Sequence, residues 1–176
     1  MNINPSSKKG KPEAFVEFII ERCKDKGAAA ALRRADNPAT EYQCWDYLAA
    51  FSIDLENHWQ RLPYSAIAAA IAKAKVEHNG QVGIGTGIAL CYDEGNQSEQ
   101  AKAKLRRLLA CDSSVEACRI LRPLFSLIES KGRSELDYAR LLNQLLRFDL
   151  DSQSVKSQWA ADFFRHRQTS TAEVIS

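Results

Sequence analysis

The side chains best placed to do chemistry in this sequence are basic, and they are concentrated. From Lys102 to Arg147 ten lysines and arginines stand against five acidic residues, a balance of +5, whereas the whole chain carries +2 and everything outside the stretch sums to −3. Arginine offers a planar fork of donors that matches phosphate, and lysine a point charge. A clustered set of both suits a polyanion better than chemistry on a small substrate. The basic residues interrupt leucines that recur at helical spacing, which predicts amphipathic helices with cationic outer faces.

Residues that could support other chemistry do not assemble into a site. His58, His78 and His166 are far apart and lack the closely spaced partners of a zinc site. Cys23, Cys44, Cys91, Cys111 and Cys118 are odd in number and scattered, which fits reduced core thiols rather than a disulfide framework. Cys111 and Cys118 invite a redox reading, but their spacing puts them on different helices. Gly83, Gly85 and Gly87 invite a phosphate-loop reading, yet Ile88 and Ala89 stand where a Walker loop needs Lys and Ser or Thr. Glycine-permitted packing against another helix fits better. With no nucleophile and base, and no carboxylate pair, no catalytic residue, metal or cofactor is expected.

The elements that must position the basic residues follow in chain order. Residues 1–12 carry Pro5, Gly10, Pro12 and three lysines without an apolar period, and predict a flexible basic arm. Phe15, Phe18, Ile19 and Arg22 then mark a first helix, with Gly27 as its stop. A short segment puts Leu32 inward and Arg33 with Arg34 at its exposed end, where the pair either complements the helix dipole or reaches a phosphate backbone. Asn37 and Pro38 predict the start of a third helix. Residues 51–63 are the least periodic part of this half, and the alanine-rich pattern predicts a helix from Tyr64 to His78, closed by Asn79-Gly80. A short helix runs through Leu90. Ser98 caps a helix whose leucines Leu105, Leu108 and Leu109 face inward while Lys102, Lys104, Arg106 and Arg107 lie outside. Ser113 to Glu116 forms a capping box for a helix with Leu121, Leu124 and Ile128 inward, Arg119 and Arg122 outward, and a bend expected at Pro123. Ser134 opens the next, with Tyr138, Leu141, Leu142 and Leu145 inward and Arg140, Asn143, Gln144 and Arg147 on a polar face. The last, about 153–167, carries Val155, Trp159 and Phe163 at i, i+4, i+8. Residues 168–176 read as a flexible tail.

These segments make an all-α protein, a compact helical bundle of about eight or nine helices in one domain over 13–167. A chain of 176 residues with 45% apolar and 26% charged residues can bury roughly two thirds of its unfolded surface. No apolar run approaches the roughly 20 residues that span a bilayer, and the first residues lack an apolar signal core. A soluble, cytoplasmic protein without a membrane partner is expected.

The order of ALRRAD, GIGTGIAL, KLRRLLACDS, ILRPLFSLIESKG, LDYARLLNQLLRFD and VKSQWAADFF resembles the CasB family, the small subunit of the type I-E CRISPR Cascade complex, over about residues 13–167. The resemblance implies an all-helical, non-enzymatic subunit present as two copies, touching the backbone and large subunits. Its basic surface would help hold the duplex of crRNA and target DNA and the displaced non-target strand. The family's basic positions fall on Arg33 or Arg34, Arg106, Arg107, Arg122 and Arg140; Lys102, Lys104, Arg119 and Arg147 join them on the same helical faces. The chain departs from the commoner pattern at Asn143-Gln144, where a charged pair is frequent, and at Phe148, where Trp is common. A second class stays open: a helix-turn-helix regulator, with a recognition helix starting near Ser113 or Ser134. It would prefer one duplex by about 10³-fold over random DNA, whereas a guide-directed complex needs no sequence readout by this subunit.

Overall fold

The computed structural model describes residues 9–132 and 135–165. Among them are nine α-helices: α1 (Lys11–Arg22), α2 (Lys26–Leu32), α3 (Trp45–Ala50), α4 (His58–Ala74), α5 (Ile84–Leu90), α6 (Glu99–Leu109), α7 (Ser114–Lys131), α8 (Tyr138–Phe148) and α9 (Ser152–Arg165). Two 3-10 turns, Glu41–Cys44 and Gly95–Gln97, link them. The fold is all-α, as its apolar periods require; an isolated parallel bridge between Val82 and Leu136 ties the α4–α5 loop to the α7–α8 loop.

One contiguous core draws on every α-helix, with Phe15, Leu32, Leu48, Ile67, Ile88, Leu105, Leu121, Leu142 and Trp159 all buried in it. Helix α4 lies at its centre. Every residue from Pro63 to Ala72 is buried, and the run of alanines lets α7, α8 and α1 pack close against it. The stripe foreseen on α7 is buried at Leu121, Leu124 and Ile128, and that on α8 at Tyr138, Leu141, Leu142 and Leu145. No helix is long and apolar enough to cross a membrane among the described residues.

Several boundaries differ from the sequence expectation, each for a local reason. Helix α1 ends at Arg22 because Asp25 caps a new helix, its carboxylate accepting the Ala28 N–H at 2.8 Å, so Gly27 lies inside α2 and stops nothing. Asn37 caps no helix; its side chain accepts the Ala39 N–H in a tight turn, and a 3-10 turn follows before α3. Helix α4 starts at His58, with Asn57 accepting the Gln60 N–H, and it runs through Pro63. It ends at Lys75, which takes a left-handed φ of 52° and frees the chain four residues before Asn79. Asp137 caps α8; Ser134, the start expected from sequence, lies outside the described residues, as do His166, the tail 168–176 and most of the N-terminal arm.

The glycines of the middle segment serve packing. Helix α5 contains Gly85 and Gly87, and a Cβ on Gly85 would collide with the Trp159 carbonyl and the Phe163 N–H of α9. Thr86 Oγ1 donates to the Asp162 carbonyl at 2.8 Å across the same contact. The glycine spacing thus sets how closely α5 approaches α9.

Candidate nucleic-acid interface

Helix α7 carries basic residues along one flank and borders a second basic wall on the other. Its core face is Ala117, Leu121, Leu124 and Ile128. One turn offset to one side, Arg119 and Arg122 face the α2–α3 turn and α4. On the other side Ile120, Pro123 and Leu127 line a groove of about 170 Å³ with Tyr92 and the α6 residues Lys104 and Arg107. The 3.6-residue period produces this division: positions three and four apart share a flank.

The first flank is a charge cluster built around one carboxylate. Asp36, in the turn after α2, takes Lys73 of α4 and Arg122 of α7 on its Oδ2, the latter at 3.3 Å. Arg33 donates Nε to the Ala72 carbonyl at 3.4 Å, beside Lys73, and Arg34 donates to Gln43 Oε1 at 3.0 Å. Arg33 after α2, Lys73 of α4 and Arg122 of α7 therefore converge from three separate segments, with Arg119 one turn before Arg122 on α7. Lys73 was not among the basic residues singled out from the sequence, because it lies in an alanine-rich helix outside the basic stretch 102–147; in the structure it is in the last turn of α4.

Helix α6 divides its own basic residues. Lys102 pairs with Glu99 at 2.8 Å and Arg106 reaches the same carboxylate at 3.9 Å. The hydrogen bond from Lys102, and then its charge, hold the Glu99 carboxyl below its ordinary range. Lys104 and Arg107 lie on the other side of the helix, toward α7. Among the described residues Lys104, Arg107, Arg119 and Arg147 make no ion pair, and all four are exposed.

Arg140 and Gln144 depart most from the polar face drawn for α8. Arg140 Nη2 lies 3.1 Å from Asp162 Oδ2, a carboxylate on α9 that is nine-tenths buried, and Gly83 packs against the pair. Gln144 is buried: it accepts the Trp159 indole N–H at 2.8 Å and donates to Gln158. Burying an indole N–H requires such a partner, so Gln144 belongs to the core. Arg147 ends α8 and remains on the outside.

Other charged and aromatic groups sit elsewhere. Arg61 of α4 donates Nε to Glu41 Oε1 at 2.7 Å, Ser65 donates to the same oxygen at 3.0 Å, and the Arg61 guanidinium lies 5.5 Å from the centre of the Trp45 ring. Tyr42, Trp45, Trp59 and Phe164 are the exposed aromatics, whereas Tyr138, Trp159 and Phe163 are in the core as their spacing foretold. All five cysteines are free thiols. Burial, with Asp149 adding to it, pushes Cys118 up to about 12, so that thiol stays protonated at neutral pH and is no nucleophile. No cluster of metal-ligating side chains occurs among the described residues.

Fold and surface together define a class: an all-helical protein in which Arg119 and Arg122 on one side and Lys104 and Arg107 on the other border one amphipathic helix. The chain belongs to the family of CRISPR-associated protein Cse2, whose family model matches residues 28–164. Among solved structures, CasB of M. ruber is 22% identical, with a TM-score of 0.75 over 96% of this chain and 100% of that one. CasB from Thermus thermophilus is 22% identical, with a TM-score of 0.71 over 89% and 99%. A chain from a CRISPR RNA-guided surveillance complex is 21% identical, with a TM-score of 0.70 over 93% and 96%. These likenesses show the fold. No curated protein matches the chain.

Proposed function

We propose that this chain is a non-catalytic subunit of an RNA-guided CRISPR surveillance complex of the Cascade type, holding the crRNA-target duplex and the displaced DNA strand through the basic residues around α7. The observation that carries this reading is the pair of cationic flanks, with Lys104, Arg107 and Arg119 free of ion pairs among the described residues. Opening a DNA duplex against a guide is a near-balanced exchange, so modest backbone contacts decide whether the open state persists. Arg33, Arg34, Lys102, Arg106, Arg122 and Arg147 extend the surface. Arg140 contributes only the part of its guanidinium that Asp162 leaves exposed. The backbone subunits, the large subunit and a second copy of this chain are its protein partners, and the complex works in the cytoplasm.

The helix-turn-helix reading fares worse at the start of α7. Ser114 donates both its backbone N–H and its hydroxyl to Asp149, so the first turn, where a recognition helix would meet bases, is tied to the end of α8. The test is assembly. Expressed with its neighbouring subunits and a guide, the tagged chain should purify with the RNA and with them, and its omission should shorten R-loop lifetime on every target. Recovery of the chain alone, or a lifetime unchanged by its omission, would overturn the reading.

A further inference from the structure

At the end of the bundle where α4 and α7 finish, beside the start of α8, lies an open pocket of about 530 Å³. One wall is fixed by two loops that pair with each other. Gly80 donates its N–H to the Leu136 carbonyl at 3.0 Å, Val82 donates to the Glu135 carbonyl at 3.0 Å, and Asp137 donates to the Val82 carbonyl at 2.9 Å. A Cβ on Gly80 would collide with the Glu135 carbonyl, so glycine permits this spacing. The buried part of the lining is Ile128, Leu136 and Tyr138. Tyr138 is only 6% exposed, yet its hydroxyl makes no hydrogen bond among the described residues. A hydroxyl withdrawn from water without a partner is destabilising, and a ligand that brings an N–H relieves it.

The charge of this pocket is opposite to that of the α7 flanks. Glu77, Glu129 and Glu135 line it against one lysine, Lys75, and against His78, whose Nε2 lies 3.1 Å from Glu135 Oε2. Among the described residues Glu77 and Glu129 make no ion pair. Helix α4 ends at Ala74 and α7 at Lys131, so the negative ends of two helix dipoles meet here as well. Burial, with Glu129 adding to it, pushes the Tyr138 phenol up to about 12, so its oxygen stays neutral and can accept an N–H. Phosphate is repelled by such a lining and a cation is attracted. No three acidic or histidine side chains among the described residues come close enough to share a metal ion, so the cation must be larger and must carry several donors. A guanidinium meets both conditions, and its aliphatic stem suits Ile128 and Leu136. We propose that this pocket receives an arginine side chain of a neighbouring protein subunit, its guanidinium between the Tyr138 hydroxyl and Glu129. The proposal rests on the reading of the chain as a subunit of a larger assembly, and it names the face and the chemistry by which one protein partner is held.

The test has two arms. In the complex assembled with its neighbouring subunits and a guide, Glu77→Lys with Glu129→Lys should weaken retention of the chain about tenfold, with its melting temperature unchanged and its binding of a thymidine oligomer no weaker than the wild type's. Tyr138→Phe, which keeps the ring and removes the hydroxyl, should weaken retention about threefold. If the double reversal lowers the melting temperature, Glu77→Gln with Glu129→Gln serves the same purpose. In the second arm the full chain alone is titrated with arginine blocked as its Nα-acetyl amide, and with the citrulline analogue, which has the same shape without the charge. The arginine compound should shift the NMR signals of the Ile128 methyls and the Tyr138 ring, and the citrulline compound should not. Equal retention of the wild type and the double variant, or equal shifts by the two compounds, would overturn the pocket proposal and leave the nucleic-acid flanks intact. A wild-type chain that never enters the complex would overturn the assembly reading and, with it, a subunit as the source of the arginine, whatever the titration shows.

Discussion

Arg140 and Arg107 are the same residue type, each exposed on the outside of a helix in the basic half of the chain, and the structure uses them differently. Arg140 faces a buried carboxylate, Asp162, at the junction of α5, α8 and α9. Arg107 faces an open groove beside α7 and makes no ion pair among the described residues. The comparison shows that positive charge on a helical wheel does not by itself mark a binding residue. What lies within reach of the guanidinium decides, and that is a tertiary fact.

The junction should fail first when disturbed. Gly85→Val would drive a side chain into the backbone of α9, and the loss should reach or exceed the top of the roughly 1–3 kcal/mol typical of overpacking, seen as a large drop in melting temperature or loss of folded protein. Arg140→Ala leaves Asp162 buried without its cation. Because the arginine side chain is 41% exposed, the loss should be about 1–2 kcal/mol, below that of a fully buried pair, with Arg140→Lys recovering part of it in thermal melts. Arg107→Ala should leave the melt within about 0.5 kcal/mol. If Arg107→Ala destabilises as much as Arg140→Ala, the contrast between the two regions fails.

Within α6 the same contrast can be drawn between neighbours. Arg106 shares Glu99 with Lys102, whereas Arg107 does not. Filter-binding or anisotropy titrations should show a larger loss of strand affinity for Arg107→Ala than for Arg106→Ala. Glu99→Gln should have the smallest effect, a modest gain in affinity as Lys102 and Arg106 are released. Since the Glu99 carboxyl is held below its ordinary value, its small stabilising contribution is present above the ordinary carboxylate pKa and fades as pH falls through the lowered one. The wild type and Glu99→Gln should therefore melt alike in acid.

The helices were legible where an apolar period and a capping residue agreed, as at Ser98 before α6 and along the leucines of α7 and α8. They were misplaced where a glycine or an Asn-Pro pair was given its usual meaning: Gly27 lies inside α2, which Asp25 caps, and Asn37-Pro38 forms a tight turn instead of opening a helix. Even at Ser113 the capping box is modified, with Glu116 accepting the Asp112 N–H in place of the Ser113 one. The basic stretch itself was visible from charge counting alone. Its division was not, because the carboxylates that occupy Arg122 and Arg140 are 86 and 22 residues away in sequence. Gln144 was assigned to the outside for the same reason: its partner, Trp159, is on another helix.

The most direct test is the salt dependence of R-loop lifetime in the assembled complex carrying Lys104→Ala with Arg107→Ala. Loss of two phosphate contacts should shorten the lifetime on every target sequence and reduce the salt slope by roughly 0.7 to 0.9 per contact, with the melting temperature of the subunit unchanged. An R-loop that persists equally long across the salt range, with the slope of the wild type, would contradict the assignment of the α7 flanks to nucleic acid.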